Sequence, residues 1–146
     1  MANEMPAASQ FTNLTRKVME YSEQFSAIVE KAKAGLKDAD WAGIETLVDV
    51  ANFRRVGQFL TAEVETIDWT TYKGYITQYA GYTAWEGTLR RITEGPNVVI
   101  QELEERNTRD GVTDIANTVM IYAFNAAGKL SHLDVYVAHI AKRPAA

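Results

Sequence analysis

Glu105 and Asp114 are carboxylates that could take a proton from an organic molecule, and the seven tyrosines of the chain are phenols that could return one. Arg54, Arg55 and Arg91 could steady the negative charge that develops between those two events. His132 and Asp134 lie two residues apart, which places both on one face of a strand as a candidate acid–base dyad. Plainer readings stand beside these. Glu105 suits a strand-end carboxylate paired with an arginine in water, Arg91 an ion pair with Glu105 or Glu102, and His132 and Asp134 a subunit contact. His139, near the end, reads as exposed.

Other chemistries lack their residues. There is no cysteine, which removes disulfides, thiolate nucleophiles and zinc–thiolate or iron–sulfur centres and fits a reducing, cytoplasmic compartment. The two histidines and scattered carboxylates show no metal-ligand spacing. Neither a Gly-rich phosphate loop nor a Gly-x-Ser-x-Gly turn occurs. Fifteen Lys and Arg against nineteen Asp and Glu leave a net charge of -4, so no basic surplus points to nucleic acid. No apolar run approaches the ~18 residues of a membrane span, and Met1 to Ser9 has neither the basic start nor the apolar stretch of a secretory signal. With 47% hydrophobic and 23% charged residues, the expectation is one soluble domain over residues 1–146, its ends 1–9 and 143–146 frayed.

Periodicity sets the elements that must position these side chains. Phe11, Leu14, Val18, Tyr21, Phe25, Ile28, Val29 and Ala32 recur mostly at steps of three and four, which predicts a helix over 9–34 with Ser9 as its N-cap and Gly35 past its end. A short second helix is expected from Asp38 or Asp40, with Trp41, Ile44, Leu47 and Val48 on one side. Phe53, Val56, Phe59 and Leu60 read as a strand within 51–64. Asp68 caps a third helix with an aromatic stripe, Trp69, Tyr72, Tyr75, Ile76, Tyr79 and Tyr82, and Trp85 closes that segment. After Gly87 the period turns to two. Strands are predicted over 88–94, 98–107, 112–124 and 130–139, joined by turns at 95–97, 108–111 and 125–128. Helices first and an antiparallel meander second describe an α+β domain.

Alternation also assigns the faces. Val99, Gln101, Leu103, Glu105 and Asn107 share one face of their strand, and the charge in the middle of the opposite face turns this one toward the helices. Leu133, Val135 and Val137 likewise face the core, and His132, Asp134 and Tyr136 face away. Residues 112–124 are apolar on both sides, with Met120, Tyr122 and Phe124 against Ile115, Val119 and Ile121. Such a strand is covered on both faces. No spare element remains for the second cover, so the expectation is a homodimer packed through the back of the sheet.

Phe124-Asn125-Ala126-Ala127-Gly128-Lys129-Leu130, followed by His132-Leu133-Asp134-Val135-Tyr136, resembles the final hairpin of the nuclear transport factor 2-like superfamily, including its SnoaL-like branch. There an aromatic precedes a Gly-Lys-Ile/Leu turn and the last strand ends near a tyrosine. Val98 to Arg106 is similar to that family's central charged strand, and the element order over roughly residues 10–140 is similar to its layout. The resemblance implies an α+β cone: a strongly bent antiparallel sheet wrapped around the N-terminal helices, with an apolar pocket at the open end. Members include ketosteroid isomerase, scytalone dehydratase, limonene-epoxide hydrolase and polyketide cyclases, whose chemistry is generally acid–base and cofactor-free, and also binding and transport domains. By position, Glu105 keeps an acid of limonene-epoxide hydrolase, whereas Leu103 and Val135 replace its Arg and second Asp. That hydrolase's relay is therefore not implied.

In such a pocket the polar side chains that alternation turns inward are Arg91, Thr93, Gln101, Glu105, Asn107, Asp114, Thr118 and Tyr122. Arg54 and Arg55, adjacent on a strand, point to opposite faces, so one enters the pocket and the other stays solvated. The expectation is a cofactor-independent lyase, dehydratase, isomerase or cyclase acting on a hydrophobic aromatic or polyketide-like small molecule, with no metal. Glu105 or Asp114 takes the proton, Tyr75, Tyr79 or Tyr122 returns one, and Arg91, Arg54 or Arg55 steadies the charge. Tyr21, Trp41 and Trp85 add aromatic wall. The rival expectation is a non-catalytic ligand-binding or dimerisation domain of the same fold. A third is a protein-interaction domain that uses the outer sheet. An open pocket above ~300 Å3 with a carboxylate against an apolar wall separates the first from the second.

Overall fold

Amphipathic spacing builds helix α1 over Asn13–Ala32, whose buried side carries Val18, Tyr21, Ile28 and Val29 in a computed structural model that describes residues 5–80 and 83–145. The helix starts later than its apolar period suggests. Ser9 lies instead in a separate 3-10 turn, Ala8–Gln10, and Thr12 holds the N-cap position without a side-chain bond. That turn is docked rather than frayed: Ala8 is buried and its N–H donates to Glu23 Oε1 at 2.7 Å. A 3-10 turn at Asp38–Trp41 runs into the short helix α2, Ala42–Glu45, as expected.

Within 51–64 only Arg54–Gly57 forms a strand, β1; the chain then loops out and returns as β2, Glu65–Ile67. Phe59 leaves the sheet because its ring packs on those of Tyr72, Tyr75 and Tyr79, with centroids 5.8, 6.1 and 5.5 Å away. Those tyrosines belong to α3, Trp69–Ala80, which Asp68 opens by accepting the Thr71 N–H at 2.9 Å. Tyr82 falls outside the described residues, and Trp85 starts the next strand rather than closing the helix.

Strands β3 (Ala84–Gly95), β4 (Val98–Arg109), β5 (Val112–Phe124) and β6 (Leu130–Pro144) form the antiparallel meander that the period of two predicts. β1 adds to it in parallel with β6, giving a curved, unclosed six-stranded sheet in the order β2-β1-β6-β5-β4-β3. Three strands, β3, β4 and β6, run longer than expected. The β4–β5 turn is Asp110-Gly111 alone, at φ 51° and 76°, the left-handed pair that matches a two-residue hairpin to the strand twist. Arg143 and Pro144, expected to fray, pair with Thr113 and Val112.

On β4 and β6 the faces fall as alternation assigns them. Val99, Gln101, Leu103, Leu133 and Val135 are buried on the inner face, while Tyr136 on the outer face is 61% exposed. Burial along β4 falls from Val99 through Glu105 to Arg109, so the inner face has a closed end packed on α1 and an open end.

Parallel pairing sets Gly57 beside Val135 at φ 145°, and a Cβ there would collide with the Val135 carbonyl oxygen. Gly57→Ala is expected to destabilise the protein by about 3 kcal/mol or more, measured by urea unfolding. A loss below about 1 kcal/mol would mean that β1 is free to shift against β6.

Candidate functional site

The inner face of the sheet, α1, α3 and the loop 58–64 enclose a cavity of about 760 Å3. Its depth is graded by β4, because every second side chain points inward and successive inward residues rise ~6.6 Å. Gln101 lies at the closed end, Glu105 midway and Asn107 near the mouth.

At the closed end the polar groups satisfy one another. Tyr122 donates its hydroxyl to Gln101 Oε1 at 3.0 Å, Gln101 Nε2 donates to Ser22 Oγ at 3.2 Å, and Ser22 donates to the Val18 carbonyl at 3.1 Å. Desolvation raises the Tyr122 phenol far above its ordinary value, with nearby Tyr72 and Glu105 adding to the rise. Tyr122 is thus a neutral, tethered donor. Tyr21 meets it edge-on at 5.8 Å, and the Tyr21 hydroxyl is buried without a hydrogen-bond partner.

Midway, Glu105 is held from two sides: Trp85 Nε1 donates to one oxygen at 3.1 Å and Thr118 Oγ1 to the other at 2.7 Å. These donors come from β3 and β5, the strands flanking Glu105. Tyr79 of α3 lines the same wall and donates to Asn107 Oδ1. Burial, followed by the negative charge of Glu105, raises the Tyr79 phenol. Opposite in sign, Arg55 lines the cavity while only 3% exposed. Its guanidinium sits 4.8 Å from the Phe59 ring centroid and 5.3 Å from that of Tyr72, and Nη2 donates to the Gln58 carbonyl at 3.0 Å. Its Nε is buried without a partner, and among the described residues no carboxylate forms an ion pair with it. Burying a cation costs several kcal/mol. Two ring contacts, the Tyr72 hydroxyl and one neutral hydrogen bond return only part of that, about 1–2 kcal/mol per ring contact at best.

At the mouth, Asp114 sits across from Asn107 on β5 and accepts from His139 Nδ1 at 2.9 Å, while its other oxygen is buried without a partner. Among the described residues no three His, Asp or Glu side chains converge as a metal site.

Glu105, Asp114, Tyr122, Tyr79, Tyr21, Trp85 and Arg55 all reach the cavity. Five expected positions are corrected. Arg91 lies on the outer face, 72% exposed and paired with Glu102, because a bulge between Leu89 and Arg91 advances β3 by one residue and puts Ile92 inward in its place. Thr93 turns outward by the same slip. Arg54 is the solvated member of its pair and donates to the Phe53 carbonyl at 2.6 Å. Trp41 is core, edge-on to Trp69 at 6.1 Å, and Tyr75 donates to Glu65 at 2.6 Å away from the cavity wall. His139 is exposed, as read, at 60%, and it also borders the cavity mouth beside Asp114, a position the sequence reading did not assign to it. It is inward by alternation from Leu133, Val135 and Val137, a signal that its place near the end of the chain concealed. His132 and Asp134 bond to each other at 2.9 Å on the outer face.

No family model matches the chain, and no curated protein matches it in sequence. Solved structures match it in shape. An NTF2-like protein of unknown function from Burkholderia pseudomallei superposes at TM-score 0.67 and 12% identity, over 88% of this chain and 92% of that one. An LEH-like epoxide hydrolase from Mycobacterium tuberculosis gives 0.54 and 11%, over 82% and 83%. A computationally designed 17-OHP binder gives 0.57 and 15%, over 85% and 98%. At these identities the likeness is one of fold. The chain has the α+β fold of the nuclear transport factor 2-like proteins, as its final hairpin implied.

Burial, the largest cause in each case, raises Tyr21, Tyr72, Tyr79 and Tyr122 above the ordinary phenol value. The folded state therefore keeps protons that the unfolded chain releases. The stability they contribute is complete below about pH 10 and is lost as pH rises beyond it. In an alkaline titration followed by phenolate absorbance, Tyr79→Phe and Tyr122→Phe should leave the signal before unfolding unchanged. A smaller signal in either variant would place that phenol in water.

Proposed function

We propose that this chain is a cofactor-independent enzyme of the lyase, dehydratase, isomerase or cyclase kind. Its substrate is a hydrophobic aromatic or polyketide-like small molecule bound in the cavity. The observation that carries this is Glu105, a carboxylate fixed by Trp85 and Thr118 inside an aromatic-walled hollow of about 760 Å3, well above the size a small ligand needs. Glu105 takes a proton from carbon beside a carbonyl or phenol-derived group. The electron pair moves onto the substrate oxygen, where Arg55 steadies it, and Glu105 or Tyr79 delivers a proton to the acceptor atom. Asp114 with His139 serves proton exchange at the mouth. Leu103 and Val135, both buried and apolar, support no hydrolase relay of the limonene-epoxide type.

That an LEH-like epoxide hydrolase and a designed 17-OHP binder share the fold supports a cavity used for either turnover or binding. The alternative is accordingly a non-catalytic ligand-binding or dimerisation domain. Among the described residues no helix is long and apolar enough to cross a membrane, and the absence of cysteine supports a cytoplasmic setting. Ile100, Val119, Ile121 and the exposed Tyr136 adjoin one another on the outer sheet and support a homodimer packed there.

Two expected outcomes follow. In a screen of aromatic and polyketide-like compounds, Glu105→Gln should lower kcat on any substrate found by about 10^2–10^4-fold while leaving the fold and ligand affinity intact. Full turnover in that variant would remove Glu105 from the mechanism. In sedimentation experiments the protein should be a dimer and Ile121→Arg a monomer; a monomeric parent would reject the back-of-sheet interface.

A further inference from the structure

Beside the satisfied Tyr122–Gln101–Ser22 chain, two buried donor groups of the cavity wall, Arg55 Nε and the Tyr21 hydroxyl, lack a hydrogen-bond acceptor. Arg55, at 3% exposure, brings a positive charge that meets no carboxylate among the described residues, and its Nε finds no partner. The Tyr21 hydroxyl is also buried and makes no hydrogen bond of ordinary geometry; its polar neighbours are the Tyr72 phenol and, farther off, Arg55, both of which act on its titration. The three carboxylates that line the cavity are engaged elsewhere, Glu105 with Trp85 and Thr118, Asp114 with His139, and Asp110 with Arg109. Burial holds Tyr21, Tyr72 and Tyr122 in their neutral forms, so no phenolate neutralises the guanidinium. Phe59 and Tyr72 approach the flat guanidinium through its ring contacts and also line the cavity.

From these observations we infer that Arg55, assisted by Tyr21, is the recognition site for the carboxylate of an aromatic ligand. The guanidinium supplies the charge and the paired N–H donors that a carboxylate matches better than any neutral acceptor. Phe59 and Tyr72 hold the guanidinium plane, and the aromatic wall receives the ligand's ring. This deepens the enzymatic reading and rests on it for the site's purpose, since it names an anionic substrate for the same hollow. The geometry of Arg55 stands whether or not Glu105 turns anything over.

The test is a pair of probes that differ in charge alone, 2-naphthoate and 2-naphthamide, titrated at pH 7 by calorimetry. The wild-type protein should bind 2-naphthoate at least tenfold more tightly than the amide. Arg55→Met should abolish that preference, Arg55→Lys should keep part of it, and Tyr21→Phe should weaken naphthoate binding several-fold. Glu105→Gln should retain the preference, so that loss of turnover there with naphthoate selectivity intact speaks to catalysis alone. Because replacing a buried, unpaired cation by an apolar side chain relieves its desolvation, Arg55→Met should melt at the same temperature as the parent or higher. Equal affinity for the two probes, no saturable binding of 2-naphthoate, or a preference that survives in Arg55→Met would overturn the inference. Should Arg55→Met fail to fold, Arg55 is structural and the inference fails with it, unless Arg55→Lys folds and shows the reduced preference.

Discussion

The strands of the meander are too long for the helices that cover them. β3 to β6 run 12 to 15 residues, about 40–50 Å at ~3.3 Å per residue. Helices α1 and α3 have 20 and 12 residues, about 30 and 18 Å. The inner face is apolar enough to demand cover along its closed half, where Val99, Tyr122 and Leu133 join Val18, Ile28 and Ile76 in one core. Beyond the reach of the helices the same face has nothing to pack on. The sheet bends, the loop 58–64 leans in through Phe59, and a hollow remains. Function is possible there because packing is incomplete there.

What lines the hollow follows from how each group tolerates the loss of water. Phenols respond by holding their protons, and burial outweighs the pull of Arg55 at both Tyr21 and Tyr72. Glu105 keeps its place through two hydrogen bonds donated from neighbouring strands, so its oxygens are matched without a cation. An arginine can do neither, since it does not give up its proton in proteins. Ring faces, the Tyr72 hydroxyl and a single carbonyl stand around Arg55, and these neutral groups offset only part of what desolvation costs. A fold that carries such a charge on a cavity wall gains little stability from it. The cavity consequently has an acid–base group on one side and an unmatched cation on another, the arrangement that proton transfer with charge development on oxygen requires.

Much of this was legible before any coordinates. The period of two located all four long strands and put Gln101, Glu105 and Asn107 on the inner face, because alternation is a property of each strand alone. Asp68 and Gly35 declared themselves by local chemistry, and the turn expected over 108–111 narrowed to Asp110-Gly111. Arg91, the place of His139 at the cavity mouth and the choice between Arg54 and Arg55 are different cases. A bulge opposite Leu103 and Glu102 turns Arg91 outward, and nothing in the residues from Leu89 to Arg91 announces it. Arg55 faces inward because β1 pairs in parallel with β6, a contact between segments far apart in the chain.

Side-chain type and spacing thus determined which residues share a face and what chemistry they offer, since both are set within a few bonds of each backbone unit. Which face turns in after a slip, and where Phe59 goes once it can reach three tyrosine rings, were decided only when distant segments met. The reason is energetic. A one-residue shift in register costs little locally, and its sign is chosen by the packing of everything on the other side.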